Sequence, residues 1–179
     1  MSILKIDSSI TGEQSVSRRL TAATIAQLRE TDPGVRIIER DLVASPLPHL
    51  TLGEPEDDVL SEFLDAQTVV IGAPMYNFTV PSQLKAWIDR ILVAGKTFRY
   101  GANGPEGLVG GKRVIVTLSR GGFYEDGNAL EHLKTYLGGV FGFIGITPEF
   151  VHADGINYGP EQRDAGIAKG LAEVELLAA

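Results

Sequence analysis

Two short runs of this chain, TVVIGA (residues 68–73) and RVIVTLS (residues 113–119), are apolar at nearly every position instead of every second one. A strand with one face in water alternates; a strand that does not alternate is covered on both faces, as in a parallel sheet with helices above and below. Three further β-rich runs accompany them: ILKID (residues 3–7), VRIIERDL (35–42) and PEFVHAD (148–154). Between the runs the apolar period changes from two to about 3.6. Leu20, Thr24 and Leu28 recur at i, i+4, i+8, and Leu84, Trp87, Ile88 and Ile91 at i, i+3, i+4, i+7. Leu130, Leu133, Leu137 and Phe141 form another stripe, and Ile167, Leu171 and Val174 a last one, after Pro160 in a first helical turn. The helix after the second run is marked only by Leu60, Phe63 and Leu64.

Strand–helix alternation with right-handed crossovers leads to an α/β doubly wound five-stranded parallel sheet, in its simplest form the flavodoxin-like order 2-1-3-4-5. A chain of 179 residues, 44% hydrophobic, without repeats or a linker-like tract, suits one domain over residues 1–179. No cysteine is present, which rules out disulfides, thiolate metal sites and a cysteine nucleophile. The opening MSILKIDSS meets charge after a few residues, and no apolar run approaches the roughly 20 residues of a membrane helix, so the expected setting is cytoplasmic and without membrane contact. A formal net charge of −7 repels a phosphate backbone, and no nucleic-acid partner is expected. His49, His132 and His152 have no metal-ligand spacing, and no metal site is expected.

A doubly wound sheet binds ligands beyond the carboxyl ends of its strands, where the strand order reverses. Three loops lie there: SSITGEQSVSRR (8–19), PMYNFTVPS (74–82) and SRGGFYEDG (119–127). In the first, Ser9, Ser15 and Ser17 combine hydroxyls with the free N–H groups of a helix N-terminus, which suits a phosphate monoester; Ser15 or Ser17 would equally serve as the helix cap. The nucleotide fingerprints GxxxxGK[ST] and GxGxxG are both missing from this loop. In the second, Pro74, Met75, Tyr76, Asn77 and Phe78 offer a thioether, two aromatics and an amide that can flank a flat ring; the alternative is burial in the core or against another subunit. In the third, Ser119, Arg120, Gly121 and Gly122 allow backbone N–H groups to approach closely, with Arg120 either a cation beside the ligand or a solvent-facing charge. Glu125 and Asp126 read as solvated loop carboxylates.

SS...SxS after the first strand, PMYNF after the third, FRYGANGPEGLVGGK before the fourth and SRGG after it, with GFIGI and GINYGPE near the end, resemble the FMN-dependent NADH-azoreductases, also called FMN-dependent NADH:quinone oxidoreductases. The resemblance runs through most of the chain. It implies a flavodoxin-like homodimer binding FMN, reduced by NADH or NADPH and reoxidised by quinones or azo compounds in a ping-pong cycle. It implies phosphate contacts from Ser9, Ser15, Val16 and Ser17, with Val16 acting only through its N–H. Ring and ribityl contacts would come from Pro74, Met75, Tyr76, Asn77 and Phe78, and pyrimidine-end contacts from Ser119, Arg120, Gly121 and Gly122. Phe78, Tyr100, Phe123 and Phe143 would line a substrate pocket, partly across the dimer interface. The chain departs from most relatives in a shorter stretch between Pro48 and Val69, which would open the pocket mouth. A flavodoxin-type electron carrier or a flavin-binding regulatory module would share the fold without small-molecule turnover. The mixture of 16 basic and 23 acidic residues does not resemble the strongly acidic docking face of such carriers.

Overall fold

A computed structural model describes residues 2–53, 58–125 and 127–177. The first half of the chain forms β1 (Ser2–Asp7), a single 3-10 turn (Gly12–Gln14), α1 (Val16–Thr31), β2 (Arg36–Asp41), α2 (Asp58–Asp65), β3 (Thr68–Pro74) and α3 (Ser82–Ile91). The second half forms β4 (Phe98–Gly101), β5 (Gly104–Gly107), β6 (Arg113–Ser119), α4 (Leu133–Phe143), β7 (Glu149–Ala153) and α5 (Pro160–Leu176). Five strands make a parallel sheet in the order β2-β1-β3-β6-β7. The expected order 2-1-3-4-5 counted five strands in all. The chain has two more, because β4 and β5 form an antiparallel hairpin outside the sheet.

The apolar runs behave as continuous apolarity demands. Every residue of β3 is buried, and neighbouring residues of one strand serve opposite faces. Ile3, Val70 and Ile115 pack with Leu20, Ile25 and Leu28 of α1 and Ile167 and Val174 of α5. Leu4, Val69, Ile71, Val114 and Val116 pack on the other side with α2, α3 and α4. Leu84, Trp87, Ile88 and Ile91 of α3 are fully buried, and Trp87 meets Phe63 of α2 edge-on at 5.8 Å. Two stripe positions differ from expectation. In α2 the buried residues are Val59, Leu60 and Phe63, while Leu64 is exposed; Leu130 lies ahead of α4 and is also exposed.

The hairpin docks beside the C-terminal end of α4. Phe98 tilts against Phe143 at 4.7 Å and meets Tyr100 edge-on at 5.6 Å. A Cβ at Gly107 would stand 2.1 Å from the Ile144 carbonyl carbon, so only glycine lets β5 pass this backbone. Among the described residues no helix is long and apolar enough to cross a membrane.

Candidate cofactor cleft

Strand β1 pairs with β2 on one side and β3 on the other, so the order reverses there and the following loops diverge. A cleft of about 640 Å³ opens at that point. Ser9, Ser15, Val16, Pro74, Met75, Tyr76, Ser119, Arg120 and Gly121, all expected site residues, line it together.

The serine loop is held from below and behind. Ser8 Oγ donates to the Gly72 carbonyl of β3 at 2.6 Å. Ser15 caps α1, its Oγ accepting the Arg18 N–H at 3.2 Å, and it lines the cleft as well. Ser17 is fully buried, and its hydroxyl lies 3.2 Å from Ser15 Oγ. The N–H groups of Val16 and Ser17, in the first turn of α1, have no carbonyl ahead of them in the helix to bond. The Arg18 guanidinium donates to the Ser9 carbonyl at 3.0 and 3.3 Å and to both Asp41 oxygens at 2.6 and 2.9 Å. Hydrogen bonding from Arg18, joined by the Val43 and Ala44 N–H groups, holds the Asp41 carboxyl well below the usual carboxylate range.

The second wall is a tight turn. Tyr76 N–H donates to the Thr79 carbonyl at 3.0 Å and Thr79 N–H to the Tyr76 carbonyl at 3.1 Å. The two residues between are both left-handed, Asn77 at φ 47° and Phe78 at φ 73°. Asn tolerates this conformation; a phenylalanine there costs on the order of 1 kcal/mol, and the His132 N–H, donating to the Phe78 carbonyl at 3.1 Å, holds it in place. The Tyr76 hydroxyl lies 3.2 Å from Ser9 Oγ and accepts the Ile10 N–H at 3.1 Å, tying this turn to the serine loop.

The loop after β6 is stitched to the loop after β7. Arg120 N–H donates to the Ala153 carbonyl, and the Gly121 and Gly122 carbonyls accept from Asn157 and Gly155, while the Gly121 and Gly122 N–H groups make no hydrogen bond to the described residues. A Cβ on Gly121 would approach Asn157 Nδ2 to 2.4 Å, so any larger residue there would have to displace the Asn157 side chain. Arg120 is neither a solvent-facing charge nor a free cation. It is 4% exposed, bonded to both oxygens of Asp154 at 2.6 and 2.8 Å, with Glu131 at 3.5 Å.

Several expected residues stand elsewhere. Asn77 lines a neighbouring hollow above the start of α3, and Phe78 and Gly122 line neither cavity. The four aromatics expected in one substrate pocket are not gathered within the chain. Phe78 sits on the exposed turn and Tyr100 on the hairpin; Phe143 lines a groove with Leu92, Tyr136 and Val140, and Phe123 packs on Tyr158 at 5.4 Å. The physical reason is topological, since they come from four different elements around the rim. His49 and His132 are exposed, and His152 Nδ1 pairs with Glu173 at 3.2 Å, away from the cleft. Glu125 is exposed; Asp126 lies outside the described residues. Among the described residues no group of acidic and histidine side chains has metal-binding geometry. The wall missed by sequence reasoning is Ile156, Asn157, Arg163, Asp164 and Ile167, from the β7–α5 loop and α5. Its advance signals were GINYGPE, which contains Ile156 and Asn157, and the helix-stripe position Ile167; Arg163 and Asp164 had none.

Residues 1–177 match the family described by its flavodoxin-like fold. The chain is 55% identical over 193 residues to the FMN-dependent NADH:quinone oxidoreductase 2 of Bradyrhizobium diazoefficiens, covering 96% of each chain. It is 50% identical over 202 residues to the FMN-dependent NADH:quinone oxidoreductase of Rhizobium meliloti, covering 99% of this chain and 98% of that one. Among solved structures, an FMN-dependent NADH-azoreductase from Bacillus anthracis in complex with FMN superposes with a TM-score of 0.86 at 25% identity, covering 99% and 98% of the two chains. Cleft, sheet and sequence agree: the chain belongs to the flavodoxin-like family and, within it, to the FMN-dependent NADH:quinone oxidoreductases and azoreductases.

Proposed function

We propose that this chain binds FMN in the cleft and carries two electrons from NADH or NADPH to quinones and azo compounds. The observation that carries the reading is the convergence of nine expected cofactor residues, from three loops spread over more than a hundred residues of sequence, on one cleft. The fit to FMN is particular. At one end, Ser9, Ser15 and the unbonded N–H groups of Val16 and Ser17 offer an anion neutral donors at a positive helix terminus. The Ser17 hydroxyl is turned inward, so its share is the N–H. At the other end, Met75 and Tyr76 give a ring an apolar flank, and the Gly121 N–H group can stabilise negative charge at its polar edge.

FMN, when bound, would supply reversible two-electron chemistry between a nicotinamide donor and the acceptor. The protein's part is to bind, orient and shield. The serine loop anchors one end, and Tyr76 keeps that loop in register with the ring-flanking turn. Arg120, neutralised by Asp154 and Glu131, holds the glycine loop rigid. No side chain need act as a nucleophile, and protons come from water. One open slot admits one flat partner at a time, so donor and acceptor alternate in a ping-pong cycle.

The chain is a single FMN-binding domain over residues 1–179, its sheet following the flavodoxin-like order 2-1-3-4-5 when the β4–β5 hairpin is counted as an insertion. Its working form is a cytoplasmic homodimer. Support comes from the exposed Phe78 and Tyr100 and from the apolar groove beside Phe143, surfaces a second copy would cover. The short stretch between Pro48 and Val69 leaves the mouth open to bulky acceptors. The deciding experiment is an absorption spectrum of the purified protein, reconstituted with FMN if needed, followed by anaerobic titration with NADH and then a quinone. Bleaching by NADH and recovery on adding quinone are expected; a protein that takes up no FMN, or whose FMN is not reduced, would overturn the proposal. Light scattering should report a dimer at micromolar concentration.

A further inference from the structure

The wall contributed by α5 carries a cation. Arg163, in the first turn of α5, lines the cleft beside the serine loop, and its Nη2 donates to the Gln14 carbonyl at 2.9 Å. Gln14 immediately precedes Ser15, the cap of α1, so the guanidinium is anchored one residue from the helix terminus. A guanidinium presents five N–H donors in a planar fork suited to phosphate oxygens. Only one is used here, and no carboxylate among the described residues lies within ion-pair distance. The neighbouring arginines are committed, Arg18 to Asp41 and Arg120 to Asp154 and Glu131. Arg19 also lines the cleft, but from the exposed side of α1.

We propose that Arg163 determines flavin specificity by recognising a terminal phosphate dianion. Riboflavin offers it no anion. In FAD the corresponding phosphate carries one charge fewer and continues into a second nucleotide. This rests on the reading of the cleft as an FMN site.

The test is flavin fluorescence titration of the full chain freed of flavin, using riboflavin, FMN and FAD with wild type, Arg163→Ala, Arg163→Lys and Arg19→Ala, each checked for folding by circular dichroism. In Arg163→Ala, FMN affinity should fall about ten- to hundredfold, the loss of a charge-assisted hydrogen bond, with riboflavin unchanged and the preference for FMN over FAD reduced. Arg163→Lys should recover part of the loss. Equal FMN affinity in wild type and Arg163→Ala would overturn the proposal. So would a parallel fall for FMN and riboflavin, an unchanged FMN-to-FAD ratio, or the same loss in Arg19→Ala. A wild-type protein that binds no flavin would overturn the cofactor reading itself, and this assignment with it.

Discussion

Replacing Arg120 with methionine should cost this protein more stability than its single charge suggests. Arg120 lies 4% exposed among Asp154, bonded through both oxygens at 2.6 and 2.8 Å, and Glu131 at 3.5 Å. Asp154 follows β7, while Glu131 receives the Lys134 and Thr135 N–H groups at the start of α4, so the guanidinium joins two elements to the loop after β6. Methionine fills similar space but leaves two carboxylates facing each other without a cation. Removing one partner of a buried ion pair costs about 3–5 kcal/mol, against a total stability of about 5–15 kcal/mol for a domain of this size. At roughly 2–4 °C per kcal/mol, the melting temperature should fall by about 6–20 °C. The control is Arg99→Met. Arg99 makes an equally well-formed pair with Glu106 at 2.8 and 3.0 Å, but in solvent on the hairpin, and its loss should leave the transition unmoved within error. Urea unfolding of the three proteins without cofactor measures the difference. A loss below about 1 kcal/mol in Arg120→Met would show that burial does not amplify this interaction.

Asp41, held ionised by Arg18 with a depressed folded-state pKa, contributes stability that is present above the ordinary carboxylate range and disappears as pH falls through the folded value. Because its side chain is 37% exposed, screening limits the contribution to about 1 kcal/mol. Asp41→Asn should therefore trail wild type at neutral pH and converge with it in acid; a gap independent of pH would contradict the assignment. Ser15→Asp should keep the cap of α1 yet weaken FMN far more than riboflavin, because Ser15 lines the cleft and a charge about 4 Å from a phosphate repels it by about 4 kcal/mol at an effective dielectric constant near 20. Equal FMN affinity in mutant and wild type would remove Ser15 from the phosphate end. Initial-rate plots against NADH at several quinone concentrations should be parallel, and intersecting lines would sink the shared slot.

What could be read from sequence was whatever short-range periodicity controls. The runs that became β3 and β6 declared burial on both faces, and the stripe Leu84, Trp87, Ile88 and Ile91 declared one helix face, because side-chain direction follows from backbone period alone. The hairpin was not legible: its four-residue strands FRYG and GPEG are too short to declare a period, and they stand because Gly107 passes the Ile144 backbone and Phe98 packs on Phe143. The left-handed pair Asn77 and Phe78 was hidden for a related reason, since no glycine marks the turn and a bond from His132, 54 positions downstream of Phe78, sustains it. Arg120 could be placed in a loop but not in an environment, because Asp154, 34 residues further on, settles that. That the three loops at the strand ends would meet in one cleft was readable from motif and topology. Its fourth wall, with Arg163 reaching Gln14 across 149 residues, exists only once α5 packs beside α1, a contact between elements that no local pattern encodes.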